Sequence, residues 1–243
     1  MYISKIWLIL LAILLGGTPL SEMLSEPQDG SEITAPIHSP LYIDGVAVED
    51  VITYFNEVCL DSEITLSGDP SVVQKWTAPI TYYLHGDYTE EDVQTIEGFA
   101  AWLNTVEGFP GIEEISYSAG AVMNIYFCSQ DELVDRMGDE YSYSDGAVTF
   151  WYEQNEIYTA IICCRDDVSQ HLRNSVILEE IYNSLGPVQD TVLREDSLIY
   201  QYYSEPQALT AVDELIIRLL YHPDIECGMN AADCEAVIRT LYY

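Results

Sequence analysis

Glu179-Glu180-Ile181-Tyr182-Asn183-Ser184-Leu185-Gly186-Pro187-Val188-Gln189-Asp190 is the stretch that decides how this chain is read. At about 100° per residue, Ile177, Leu178, Ile181 and Leu185 fall on one side of a helix starting near Ser169. Leu172, Val176, Glu179 and Asn183 fall on the other side, with Glu180 flanking them. The helix is therefore apolar on one face and partly apolar on the other. That pattern places it centrally, with its acids where the apolar covering stops. Two adjacent acids on such a helix are costly to bury without partners. Gly186 and Pro187 end it, since glycine accepts the left-handed cap and proline cannot continue the helix. The chain then turns back, and Gln189 or Asp190 can return to the polar face.

Outward from this helix, the elements alternate. A helix is expected over Val48–Val58 and a strand over Pro79–Leu84. Thr89 with Asp92 resembles a capping box that opens another helix. Strands follow near Ile112–Ser118 and Ala121–Cys128, then a short helix over Asp131–Met137. Gly146–Tyr152 and Ile157–Cys163 read as a hairpin turning at Gln154-Asn155. After the central helix, two more are expected over Pro206–Tyr221 and Asn230–Tyr242. The fold class is α+β: one mixed sheet backed by helices, then a helical C-terminal part.

Composition limits the partners. Lys and Arg total 8 against 41 Asp and Glu, a net charge of −33. Such a surface repels phosphate backbones and anionic lipid faces, which excludes nucleic acid and an anionic membrane surface. The hydrophobic fraction is 49%, with 19 Tyr, so the chain has material for a core. At the N-terminus, Lys5 precedes the apolar run Ile6–Leu15 and the small residues Gly16-Gly17-Thr18. Residues 1–20 read as a cleaved signal peptide and 21–40 as an acidic, Ser/Pro-rich tether. Residues 41–243 form a single domain, and the protein is expected to be secreted.

Six cysteines follow the leader, an even number in an exported chain. Cys227 and Cys234 lie close in sequence across a turn, and a disulfide is expected between them. Cys163 and Cys164, adjacent on a strand, should face apart; their pairing with Cys59 and Cys128 stays open.

Glu179-Glu180-x-x-Asn183-x-x-Gly186-x-x-Gln189 has the spacing of H-E-x-x-H-x-x-G-x-x-H, the metzincin motif. There, three His hold zinc and the Glu is the general base. Here only Glu180 and Gly186 match; Glu179, Asn183 and Gln189 occupy the His positions, so zinc is not expected. Cys227-Gly228-Met229 stands where metzincins carry a methionine turn. The chain also resembles a bacterial exported family known as domain of unknown function 2927, from about Glu49 to Leu241. The resemblance rests on Phe55, Ser62-Glu63, Lys75-Trp76-x-x-Pro79-Ile80, the Glu179–Gly186 segment with Asp190, Asp213, Leu219-Leu220-Tyr221-x-Pro223 and Gly228-Met229. It implies a zincin-like fold with a degenerate site formed by Glu179, Glu180, Asn183, Gly186, Gln189, Asp190 and Met229.

Two functions are compatible with these residues. The first is a non-catalytic domain that binds a peptide or cell-surface ligand. The second is a hydrolase using the Glu179/Glu180 pair, or a site for a hard cation such as Ca²⁺ with Asp190 near. An open groove beside an edge strand would favour peptide binding; a filled cleft would favour a scaffold in which the two acids only order the following turn.

Overall fold

The structure, a computed structural model, describes residues 39–60, 71–202 and 204–243. Residues 1–20, read above as a signal peptide, and most of the segment read as a tether lie outside the described residues. The chain runs α1 (Val48–Leu60), β1 (Lys75–Trp76), β2 (Ile80–Gly86), α2 (Glu90–Leu103), β3 (Ile112–Glu114), β4 (Met123–Cys128) and α3 (Gln130–Met137). It continues through β5 (Gly146–Glu153), β6 (Glu156–Arg165), α4 (Gln170–Ser184), α5 (Ala211–Leu220) and α6 (Ala231–Leu241). The architecture is α+β, as the periodicity indicates. None of the helices among the described residues is long and apolar enough to cross a membrane.

Local chemistry sets most boundaries. Thr89 and Asp92 form the capping box that starts α2, and Ser129 with Glu132 does the same for α3. The hairpin turns through Gln154 and Asn155 with φ of 54° and 66°, the left-handed pair that a two-residue turn between twisted strands requires. The helix expected from Pro206 starts only at Ala211, because Thr210 and Asp213 close a capping box there. β3 stops at Glu114, well short of Ser118.

β2, β3, β4 and β6 pair in parallel, and β1 extends the same parallel set along β6. β5 alone is antiparallel, paired with β6 from Gly146↔Cys164 to Glu153↔Glu156. β4 and β1 both overlap this span of β6, so they occupy its other side. β5 is consequently an edge strand among the described residues, its outer backbone facing no other described strand. One face of the sheet, with Met123, Ile125, Phe127, Ile162 and Cys164, joins the main core with Ile96 and Phe99 of α2 and Ile177 and Ile181 of α4. The alternate residues Cys128 and Cys163 meet Ala147 and Leu133 in a smaller cluster on the opposite face.

The cysteines follow this alternation and correct one expectation. Cys163 and Cys164 do face apart, into the two separate clusters. Cys227 and Cys234, however, are free thiols. Proximity in sequence misleads here because the two are built into different environments. Cys234 on α6 is turned into the core, whereas the Cys227 thiol approaches Lys75 O at 3.8 Å. The thiols that do meet are Cys128 and Cys163, on the neighbouring strands β4 and β6. Mild oxidation of the folded chain, followed by a non-reducing peptide map, should yield a Cys128–Cys163 link and no Cys227–Cys234 link.

Candidate functional site

Both ends of α4 are tied to distant parts of the chain. Near its start, Arg173 pairs with Asp92 of α2 at 3.1 Å, both side chains being buried. Gln170 also donates to Asp92, at 2.6 Å. At its end, the last carbonyls have no partner within the helix and must be met from outside. Trp76 Nε1 donates to Ser184 O at 2.9 Å, and Tyr221 Oη to Leu185 O at 2.9 Å. Lys75 secures the neighbouring helix end, donating from Nζ to Leu220 O at 2.8 Å and to Ile225 O at 2.5 Å. Burial holds the Lys75 ammonium below its ordinary pKa. Gly186 turns with φ 127°, and a Cβ there would stand 2.5 Å from Gln74 O. Only glycine lets α4 end this close to the chain entering β1.

Held in this way, α4 presents its mixed face to a cavity of about 620 Å³. Val176, Glu179, Glu180 and Asn183 form the floor, and β5 supplies Gly146, Val148 and Phe150 along one side. Tyr141 and Asp145 stand at one end; Asp190, Tyr200 and Tyr202 come from the segment after α4. None of the described lining residues is basic. Asp213, buried at the start of α5, fixes that last segment by accepting from Ser197 Oγ at 2.7 Å and Leu198 N at 3.1 Å. Tyr54 Oη completes the chain by donating to Ser197 Oγ at 2.6 Å.

Glu180 owes its place to the residue opposite. A Cβ on Gly146 would lie 2.4 Å from Val176 Cγ1 and 2.7 Å from Glu180 Oε1. Without one, the Glu180 carboxyl packs against the β5 backbone and is only 8% exposed. It meets no hydrogen-bond donor among the described residues, and neither does Glu179. Burial, reinforced by Glu179 and Asp190, raises the Glu180 pKa well above the usual carboxylate range. Burial, reinforced by Asp190 and Asp145, pushes Glu179 up to about 7. Asn183 Oδ1 is buried and likewise lacks a partner among the described residues.

Of the residues singled out in the sequence, Glu179, Glu180, Asn183 and Asp190 come together around this cavity. Gly186 lies behind it, shaping the helix end. Gln189 is not among the lining residues; its backbone N–H donates to Val58 O on α1 at 3.3 Å. Met229 is also outside, its carbonyl accepting from Val73 N at 2.9 Å, one residue from the lining Gln74. His171 faces outward beside Glu205, and His222 lies beside Asp224. The donors standing at the three metzincin His positions thus do not converge, and one carboxylate with one amide does not fit zinc. Among the described residues, no three of His, Cys, Asp or Glu are arranged to hold a metal ion, so Ca²⁺ gains no support either. Asp145, Gly146, Tyr141 and Gln74 were not legible as site residues. The small residue heading a strand, Gly146 after Ser144-Asp145, was the only local sign of a close approach.

A family model matches residues 48–240. The chain belongs to the family described as Protein of unknown function (DUF2927). No curated protein matches it. The DUF2927 span runs from the first residue of α1 into α6, so it takes in the whole cavity and both clamps on α4.

The two raised acids make stability depend on pH. Below about pH 4.5, both are protonated whether the chain is folded or not. As the pH rises to about 7, the unfolded chain loses the Glu179 proton that the folded chain keeps, so folding is progressively disfavoured. Glu180 extends the loss to higher pH. Glu179→Gln should flatten this decline. Its melting temperature should exceed that of the parent at pH 8 but not at pH 4.5, by about 2–4 °C per kcal/mol relieved in a domain of this size. Thermal melts across pH 4.5–8 measure the effect; parallel curves for the two proteins would refute it.

Proposed function

We propose that this domain is an exported, metzincin-like frame that has given up its zinc ligands. In place of catalysis it binds an extended peptide or cell-surface ligand along the cavity over α4. The observation that carries this reading is the edge of β5. Its outer backbone, unpaired by any described strand, runs beside an open cavity floored by Glu179, Glu180 and Asn183. An extended segment can add to such an edge through main-chain hydrogen bonds while alternate side chains enter the pocket. Glu180 on the central helix and Gly186 at its turn support the metzincin relationship, and the apolar run after Lys5 supports secretion. The scaffold alternative is disfavoured, because the cleft is open rather than filled.

A second reading, hydrolysis by the Glu179/Glu180 pair, draws support from the proton held on these buried acids near neutral pH. A general acid needs such a raised pKa. One experiment separates the two. The full chain is incubated with a library of extended peptides, and the retained peptides are identified by mass spectrometry. Retention of intact peptides is expected. N-methylation of alternate backbone amides on one edge of a retained peptide should weaken it by about tenfold or more, while the opposite edge tolerates it. Cleaved products that vanish with Glu180→Gln would support the hydrolase. Retention insensitive to N-methylation on both edges would overturn the edge-pairing mode.

A further inference from the structure

We propose that the cavity over α4 is a guanidinium pocket, which receives an arginine side chain of the bound peptide. This deepens the peptide-binding reading and rests on it. The polar groups that lack partners among the described residues here are the carboxyls of half-buried Glu179 and buried Glu180 and the buried Asn183 Oδ1. Glu180 is the deepest of them, more than nine-tenths buried and opening onto the cavity. Once ionised, the carboxyls are acceptors only, and a ligand that satisfies that state must bring several donors and no acceptor of its own. The guanidinium group has five N–H donors in a planar fork and no acceptor; an ammonium has three donors, and a sugar hydroxyl brings acceptors with each donor. The walls suit a flat cation. Phe150 lines the pocket, and the Tyr200 and Tyr202 rings stand edge to face with centroids 5.5 Å apart.

Competing charges do not supply the cation already. Arg165 is engaged with Asp145 at 2.9 Å and with Asp167 at 2.9 Å, and it does not line the cavity. The groups facing the acid pair are Asp145 before β5, Asp190 after α4, Tyr141 and, from β6, Cys164. All are neutral or negative, and the cations beside them, Arg165 at Asp145 and Arg173 near Cys164, are not among the lining residues. The arrival of a cation favours ionised carboxyls, and binding near neutral pH should therefore release protons from the Glu179/Glu180 pair.

Isothermal titration of the full chain tests this with N-acetyl-arginine amide against its neutral isostere N-acetyl-citrulline amide, in two buffers of different ionisation enthalpy at pH 7. The arginine compound should bind at least about tenfold more tightly, and its heat should differ between buffers by the released proton. Glu180→Gln and Glu179→Gln, both isosteric, should each weaken arginine by about tenfold and reduce the proton release. Equal binding of arginine and citrulline, or unchanged affinity in both variants, overturns the proposal. Tighter binding of N-acetyl-lysine amide would overturn the choice of guanidinium. If arginine amide fails while arginine-free peptides are still retained, the pocket assignment falls and the peptide reading stands. If neither binds, both fall.

Discussion

The arrangement depends on a helix that carries two acids into an apolar setting without a cation beside them. Left to itself, α4 would gain by rotating or sliding until Glu179 and Glu180 reached water, since burying an unpaired carboxyl costs several kcal/mol. It is prevented from doing so at both ends. The buried Arg173–Asp92 pair fixes its start against α2, and breaking such a pair would strand a charge. Trp76 and Tyr221 claim the carbonyls of Ser184 and Leu185 at its end. Any sliding of α4 would orphan these groups as well. The acids stay where they are because moving them would cost more elsewhere.

These clamps also give physical sense to residues that have no contact with the cavity. Lys75-Trp76 and Leu220-Tyr221 are far apart in the chain, yet they meet at one junction: Lys75 closes the end of α5, Trp76 the end of α4, and Tyr221 both donates to Leu185 O and accepts from Trp76 N at 3.4 Å. Asp213 plays a comparable part for the segment that brings Tyr200 and Tyr202 over the pocket, accepting from Ser197 and Leu198. These are positioning residues. Their effect on ligand binding passes through the placement of α4 and of the 188–202 segment.

What could be read in advance was local. The two-sided periodicity of α4, the Gly186 stop, the Gln154-Asn155 hairpin and the Thr89 cap depend on residues a few positions apart, and the structure has them all. A return of the chain to the Glu179/Glu180 face was legible from the Gly-Pro turn, but the sequence left Gln189 and Asp190 as alternatives, and Asp190 is the one that lines the cavity. What was not legible depends on pairing between distant segments. Nothing near Asp145 or Gly146 in sequence says that β5 will lie against α4. Cys227 and Cys234 were misjudged for the same reason: spacing says how near two residues can come, while packing decides which way their thiols turn. Gln189, at the third His position of the motif spacing, is tied by its backbone N–H to Val58 O on α1 and does not line the cavity.

The net charge of −33 makes it tempting to picture the pocket as one more acidic patch. Its floor behaves differently. The surface acids are solvated, whereas burial raises the pKa of Glu179, to about 7, and that of Glu180 well above the usual carboxylate range. The pocket is thus poised between two states: a protonated one that the empty fold tolerates at reduced cost, and an ionised one that only a bound cation would stabilise. A fold selected for stability alone would replace these carboxyls and Asn183 with apolar side chains of similar size, since α4 is already anchored without them. Among the described residues, the unpartnered acceptors cluster on one face of α4 beside an open strand edge, with Asn56 Oδ1 on α1 a separate case. A cluster of this kind is what a site shaped for a ligand leaves in an otherwise consistent fold.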